Sequence, residues 1–202
     1  MINLSKSDGI WTLRLERPKK ANSLTLEMLE RIDEIAQEAA VARAFIITGT
    51  GKVFSAGADL EAAKTGLATS DIWEKVSGTI ADLPCLTVAA LNGTLAGGAF
   101  GMALACDIRI AVPDAKFFYP VMRLGYLPQP SDPARMAALI GPSRTKIMLM
   151  GGQKLNAENA LAYGLIEHIY QPEDLMGQAV ELAKNVCIAT PEHAAAIKKM
   201  LP

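Results

Sequence analysis

Three short apolar runs constrain the fold more than any other feature: residues 44–48 (AFIIT), 86–91 (LTVAAL) and 108–112 (IRIAV). The first two stop at turn formers, Gly49 and the Asn92-Gly93 pair. Mostly apolar runs of this length are too short for helices and fit strands buried on both faces. Residues 59–83 read as loop and helix, and residues 98–105 as a helix opened by a Gly-Gly pair. Strands separated by helices require crossover connections, so a largely parallel sheet with helices packed on it is expected. Residues 9–17 (GIWTLRLER) add a strand that is apolar at every second position and stops at Pro18. After the loop PKKANSL, Thr25 is placed to cap a helix whose apolar stripe is Met28, Ile32, Ile35 and Ala39.

Beyond Pro128 the pattern changes to helices, over residues 132–140, 143–150, 156–163, 173–186 and 192–201, with only residues 165–170 strand-like. Asn156 and Gly164 supply a cap and a left-handed stop for the third of these. The expected organisation is one domain over 1–202, an α/β core over 1–127 followed by a mostly helical part over 128–202.

Composition removes several function classes. At 202 residues, half of them apolar, the chain has enough material for a core without disulfides or metals. Lysine and arginine (20) nearly balance aspartate and glutamate (21), which argues against a nucleic-acid surface. Cys85, Cys106 and Cys187 lack the spacing of a zinc site or a disulfide framework, and the expectation is a reducing, cytoplasmic setting. No apolar run is long enough to span a membrane, and the opening MINLSKSDGIW has no signal-peptide core. His168 and His193 have no carboxylate or cysteine neighbours at metal spacing, so no metal is implied.

Two glycine-rich segments remain as carriers of chemistry. TGTGKVFSAGADL (48–60) follows a strand, but a phosphate loop would need glycine at Ile46 and serine or threonine at Val53, and a dinucleotide fingerprint would need glycine at Phe54. In NGTLAGGAFGMALACDIRIA (92–111), Gly97 and Gly98 stand between a strand and a helix, where N–H groups lack intrahelical acceptors and can face an anion. Taken alone, these glycines would equally serve a tight turn or close packing.

The ordered strings RPKKANSL, FSAGADL and NGTLAGGAFGMALACDIRIA, with GLIEHI further on, resemble the crotonase superfamily, which contains enoyl-CoA hydratases and isomerases. The resemblance implies a spiral of ββα units acting on an acyl-CoA thioester, with coenzyme A as part of the substrate and no separate cofactor. Two backbone N–H groups, of Ala58 and Gly98, would form an oxyanion hole for the thioester enolate. Lys20, Ala21 and Asn22, with Ala56, Asp59, Leu60, Gly97 and Val121, would line the substrate. Family members usually continue with further helices beyond the equivalent of Met200, so the expected fold lacks these, and a homotrimer or hexamer is expected to cover the exposed apolar surface.

Hydratases of this superfamily place two glutamates at positions that here hold Gly101 and Val121. Neither side chain can transfer a proton, so water addition by paired carboxylates is not expected. Three readings remain: decarboxylation of a malonyl-type CoA, which forms the enolate without a base; acyl-CoA binding without catalysis; or a substitute acid or base from Asp132 or a tyrosine. Asp132 precedes Pro133, so it also reads as the cap of a helix beginning at that proline. Asp107 reads as a structural hydrogen-bond partner.

Overall fold

The computed structural model describes residues 1–201. Its strands form two sheets, and successive turns of the chain add one strand to each. β1 (Ile2–Ser7) and β2 (Ile10–Leu15) form an antiparallel hairpin through Asp8 and Gly9. Both turn residues have positive φ, 51° and 80°, and Asp-Gly is a pair that tolerates such a tight turn. The chain then runs through α1 (Leu26–Glu38) into β3 (Ala44–Gly49) and the short β4 (Val53–Ser55). Helices α2 (Leu60–Lys64) and α3 (Ile72–Ala81) lead to β5 (Leu86–Leu91), β6 (Thr94–Ala96) and α4 (Phe100–Ala105). The next turn supplies β7 (Ile108–Ala111), β8 (Lys116–Phe118) and α5 (Val121–Leu124).

One sheet has six strands in the order β1-β2-β3-β5-β7-β10, parallel beyond the hairpin and ending in the two-residue β10 (His168–Ile169). The second sheet is β4-β6-β8-β9, with β9 at Leu155–Asn156. This is the expected spiral of ββα units. All six residues of β3 are buried, as an uninterrupted apolar run requires when helices cover both faces of a parallel sheet. On α1, Met28, Leu29, Ile32, Ile35 and Ala36 face the core, and the Thr25 hydroxyl accepts from the Met28 N–H at 3.3 Å.

The rest of the chain comprises α6 (Asp132–Ile140), α7 (Pro142–Leu149), β9 (Leu155–Asn156), α8 (Ala157–Tyr163), β10 (His168–Ile169), α9 (Leu175–Ile188) and α10 (Pro191–Lys199). It is less purely helical than its sequence pattern suggests. β9 joins β8 in the smaller sheet and β10 joins β7 in the larger one, tying the helical part into both. Among the described residues no helix is long and apolar enough to cross a membrane.

Candidate active site

The two glycine-rich turns follow β4 and β6, neighbouring parallel strands of the smaller sheet, so they emerge side by side. Gly57 has φ +86°, and a Cβ there would fall 2.9 Å from the Ala96 carbonyl oxygen and 3.3 Å from the Gly98 nitrogen. Only a residue without a side chain permits that approach. The Ser55 hydroxyl fixes the first turn, donating to the Asn22 carbonyl (2.8 Å) and accepting from the Gly57 N–H (3.1 Å). Leu24 bridges to this turn through the N–H groups of Leu24 and Asp59, which leaves the Ala58 N–H facing away from the pairing. Gly98 is the second residue of a 3-10 turn over Gly97–Ala99, where the first N–H groups have no intrahelical acceptor. Among the described residues, neither the Ala58 nor the Gly98 N–H donates to any hydrogen bond outside regular elements.

The loop before α1 meets this region, but some of its side chains are already engaged. Ala56 donates its N–H to the Ala21 carbonyl at 3.0 Å, joining the two expected substrate-lining stretches. The buried Asn22 amide donates to the carbonyls of Thr50 (3.0 Å) and Val53 (2.7 Å), and its oxygen accepts from the Arg17 N–H (2.8 Å). Its side chain therefore stitches loops together, with both amide hydrogens engaged. Asp59 likewise caps α2 and pairs with Arg17 at 2.6 Å. The Arg17 hydrogen bond, with help from the Ala62 N–H, holds its carboxyl below the usual aspartate range. Lys20 and Leu60 are exposed, and Gly97 has φ +59°.

The 3-10 turn and the start of α4 each present a bare glycine position, Gly98 and Gly101. A Cβ on Gly98 would meet the Trp73 ring at 3.1 Å, and a Cβ on Gly101 would meet the Asp132 Oδ1 at 3.2 Å and the Ser77 Cβ at 3.4 Å. Trp73 and Ser77 come from one face of α3, and the Trp73 indole N–H donates to the Leu67 carbonyl at 2.7 Å. Val121 is buried at the start of α5, in the core.

Asp132 is not the cap suggested by the Asp-Pro pair. The helix already includes it, Ser131 precedes the first turn, and the Asp132 carboxyl makes no capping bond. The side chain turns inward and is completely buried. Its Oδ2 accepts from the Tyr119 hydroxyl at 2.9 Å, while Oδ1 has no hydrogen-bond partner among the described residues. Burial pushes this carboxyl up to about 7, against the Tyr119 hydrogen bond and the Arg135 charge, which favour the ionised form. Burial and the neighbouring Asp132 also raise the Tyr119 hydroxyl, whose ring stacks on Phe100 at 5.4 Å. Ser131 donates from its N–H and hydroxyl to Glu74, and Arg135 donates to the Ser77 hydroxyl at 2.9 Å. Trp73, Glu74 and Ser77 carry no motif, and sequence reasoning passes over them. Arg123 and Tyr126 are exposed on and after α5.

Paired glycine turns at the ends of adjacent parallel strands, on a two-sheet spiral, define the class of fold to which this chain belongs. The sequence profile of the enoyl-CoA hydratase/isomerase family matches residues 5–202, and the chain belongs to that family. It is 37% identical over 191 residues to the putative enoyl-CoA hydratase/isomerase YngF of Bacillus subtilis, covering 90% of this chain and 73% of that protein. It is 31% identical over 212 residues to 4-chlorobenzoyl coenzyme A dehalogenase-1 of an Arthrobacter species, covering 98% and 76%. The crystal structure of enoyl-CoA hydratase from Bacillus anthracis superposes with a TM-score of 0.90 at 30% identity, covering 98% of this chain and 81% of that one.

Proposed function

We propose that this protein binds an acyl-CoA thioester and stabilises its enolate, with the thioester oxygen held by the N–H groups of Ala58 and Gly98. The observation that carries the reading is the pair of unspent amides on two turns in contact at Gly57. Charge accumulates on a thioester oxygen as the enolate forms, so fixed donors there stabilise the transition state more than the ground state. Removing one such donor typically costs about 100- to 1,000-fold in rate. The exposed Lys19 and Lys20 stand where they can attract the phosphates of coenzyme A.

Hydration by two carboxylates is not the reaction we assign, because residues 101 and 121 are glycine and valine. The relatives support that separation of fold from reaction: at similar identity one is named a hydratase/isomerase and another a dehalogenase. Loss of carbon dioxide from a malonyl-type CoA fits residues 101 and 121, since it delivers the enolate without proton abstraction. Calorimetry with coenzyme A and acyl-CoAs, together with turnover of crotonyl-, malonyl- and methylmalonyl-CoA, tests the assignment. Binding with turnover of a carboxylated thioester supports decarboxylation, and binding with no turnover supports a carrier role. Hydration of crotonyl-CoA at enzymic rates would overturn the argument from Gly101 and Val121.

We also assign the exposed Met122, Leu124, Tyr126 and Leu127 to a contact between copies of this chain, as an apolar cluster of this kind suggests. Sedimentation equilibrium showing only monomer would sink that assignment.

A further inference from the structure

A peptide group is planar, and in the trans form its C=O and N–H point in opposite directions. Among the described residues no peptide bond is cis. The Ala58 N–H shares its peptide with the Gly57 carbonyl, which accepts from the Leu24 N–H at 2.8 Å. That bond aims the Ala58 N–H away from Leu24. The Leu24 N–H in turn shares its peptide with the Ser23 carbonyl, which accepts from Nη1 of Arg17 at 3.1 Å. The guanidinium, the Ser23–Leu24 peptide and the Gly57–Ala58 peptide therefore stand in series, each donating to the next. Arg17 is itself held firmly. Its Nη1 pairs with Asp59 Oδ2 at 2.6 Å and donates to the Ser23 hydroxyl at 3.0 Å. The loop wraps around its backbone: the Arg17 carbonyl accepts from the N–H groups of Lys20 and Asn22, both at 3.0 Å, and the Arg17 N–H donates to the Asn22 side chain. Ala21 and Asn22, immediately before Ser23, have φ of 50° and 49°, a left-handed pair that non-glycine residues keep only where their surroundings enforce it.

We propose that Arg17 is a positioning residue for the oxyanion site: through these two peptide groups it aims the Ala58 N–H and strengthens it as a donor to the thioester oxygen. The inference rests on the acyl-CoA reading above. Hydrogen bonds in a chain polarise one another, by ~10–30% per bond in condensed phase. A cation at the head of the chain draws electron density from the Ser23 carbonyl, which makes the Leu24 N–H a better donor, and the Gly57–Ala58 peptide passes the effect on. The two oxyanion amides then draw on different sources. Gly98 lies in the first turn of a helical segment, where unpaired N–H groups carry partial positive charge. Ala58 precedes the cap of α2 and lies outside that helix, so its added polarity comes from the guanidinium. Asp59 competes with Ser23 for the same Nη1, so it fixes the guanidinium in place while weakening its pull on the chain.

The test is the carbonyl stretch of bound butyryl-CoA, isolated by difference infrared spectroscopy with and without isotopic labelling of that carbonyl carbon. Donors at the oxygen lower this frequency, so the downshift from free ligand reads the field inside the cradle. Calorimetry on the same preparations establishes binding. The wild type is expected to lower the stretch. R17M is expected to lose roughly 10–30% of the downshift, the size of one link removed from the chain. R17K, which keeps a cation without the planar fork, should recover part of that loss. D59N supplies the sign. Asparagine caps a helix as well as aspartate does, and the variant relieves the competition for Nη1, so its downshift should equal or exceed that of wild type. A purely structural ion pair predicts a smaller one. An unchanged downshift in R17M, or a reduced one in folded D59N, would overturn the relay and leave the acyl-CoA reading standing; should R17M fail to fold, the sign in D59N decides alone. A wild-type protein that binds no acyl-CoA, or binds it without lowering the stretch, would remove both.

Discussion

Arg109 and Asp132 are both buried charged residues, and their surroundings differ in kind. Arg109, on β7, is 3% exposed and its guanidinium is fully occupied. It donates to the carbonyls of Cys106 (2.6 Å) and Leu165 (3.0 Å) and pairs with Glu167 at 2.7 Å. These bonds join the end of α4 to the segment entering β10. Asp132 is equally buried but has one oxygen unanswered and a carboxyl raised toward neutrality. A charge whose every donor is engaged holds elements together. A charge left half-satisfied costs stability.

The largest effect expected from this contrast is at Arg109. R109M should destabilise the protein by about 3–5 kcal/mol, because two buried carbonyls lose their donors and the partly exposed Glu167 loses its partner. Urea denaturation measures it. A loss below 1 kcal/mol would mean that the guanidinium is a passenger and the contrast is false.

At Asp132 the sign should reverse. The unfolded carboxyl titrates near 3.8 and the folded one near 7, so between those values the native state binds more protons than the unfolded state. Stability contributed by this group therefore falls as pH rises from about 4 to about 7, and the full cost persists above. D132N removes the titration and should be more stable than wild type at pH 8, by up to a few kcal/mol, with the advantage vanishing near pH 4. Thermal unfolding of both proteins across that range checks it. A gap independent of pH would show that the carboxyl is not the titrating cost.

A smaller loss should follow from G57A. The φ of +86° strains any L side chain, and the new methyl would stand 2.9 Å from the Ala96 carbonyl. The cost should be roughly 1–3 kcal/mol. Because the turn would relax by separating from residues 96–98, acyl-CoA affinity should fall along with stability. Unchanged affinity in calorimetry would disconnect this contact from the binding site.

How much of this was legible in the sequence follows from how local each signal is. β3, β5 and β7 announce themselves as short apolar runs, and α1 by its cap and stripe. β1 has a mostly exposed surface and shows no clear alternation; the Asp8-Gly9 pair was the available clue to its hairpin. β4, β6 and β8 are three residues each, held by parallel partners about 20 to 40 residues away, and nothing in so short a stretch marks a strand. The glycine turns were readable because positive φ and close approach leave a residue-type signature. Asp132 could be named as a candidate acid or base but its burial could not be read, since an aspartate before proline is an ordinary helix entrance and only tertiary packing turns it inward. Arg109 and Glu167 lie 58 residues apart and their pairing is equally silent.

The smallest effect sharpens the contrast from the scaffold side. Thr25 closes α1 through one long hydrogen bond, from the Met28 N–H to its hydroxyl at 3.3 Å, far along the chain from the α3, α4 and α6 cluster. T25A should cost about 1 kcal/mol, the usual value for an N-cap hydroxyl. The hydroxyl does not titrate in the accessible range, so that loss should be the same at pH 5 and pH 8, where the D132N difference should have changed markedly. If the T25A loss changed with pH as the D132N difference is expected to, that change would reflect general loosening of the fold, and the distinction between a satisfied scaffold and an unsatisfied buried carboxyl would fail.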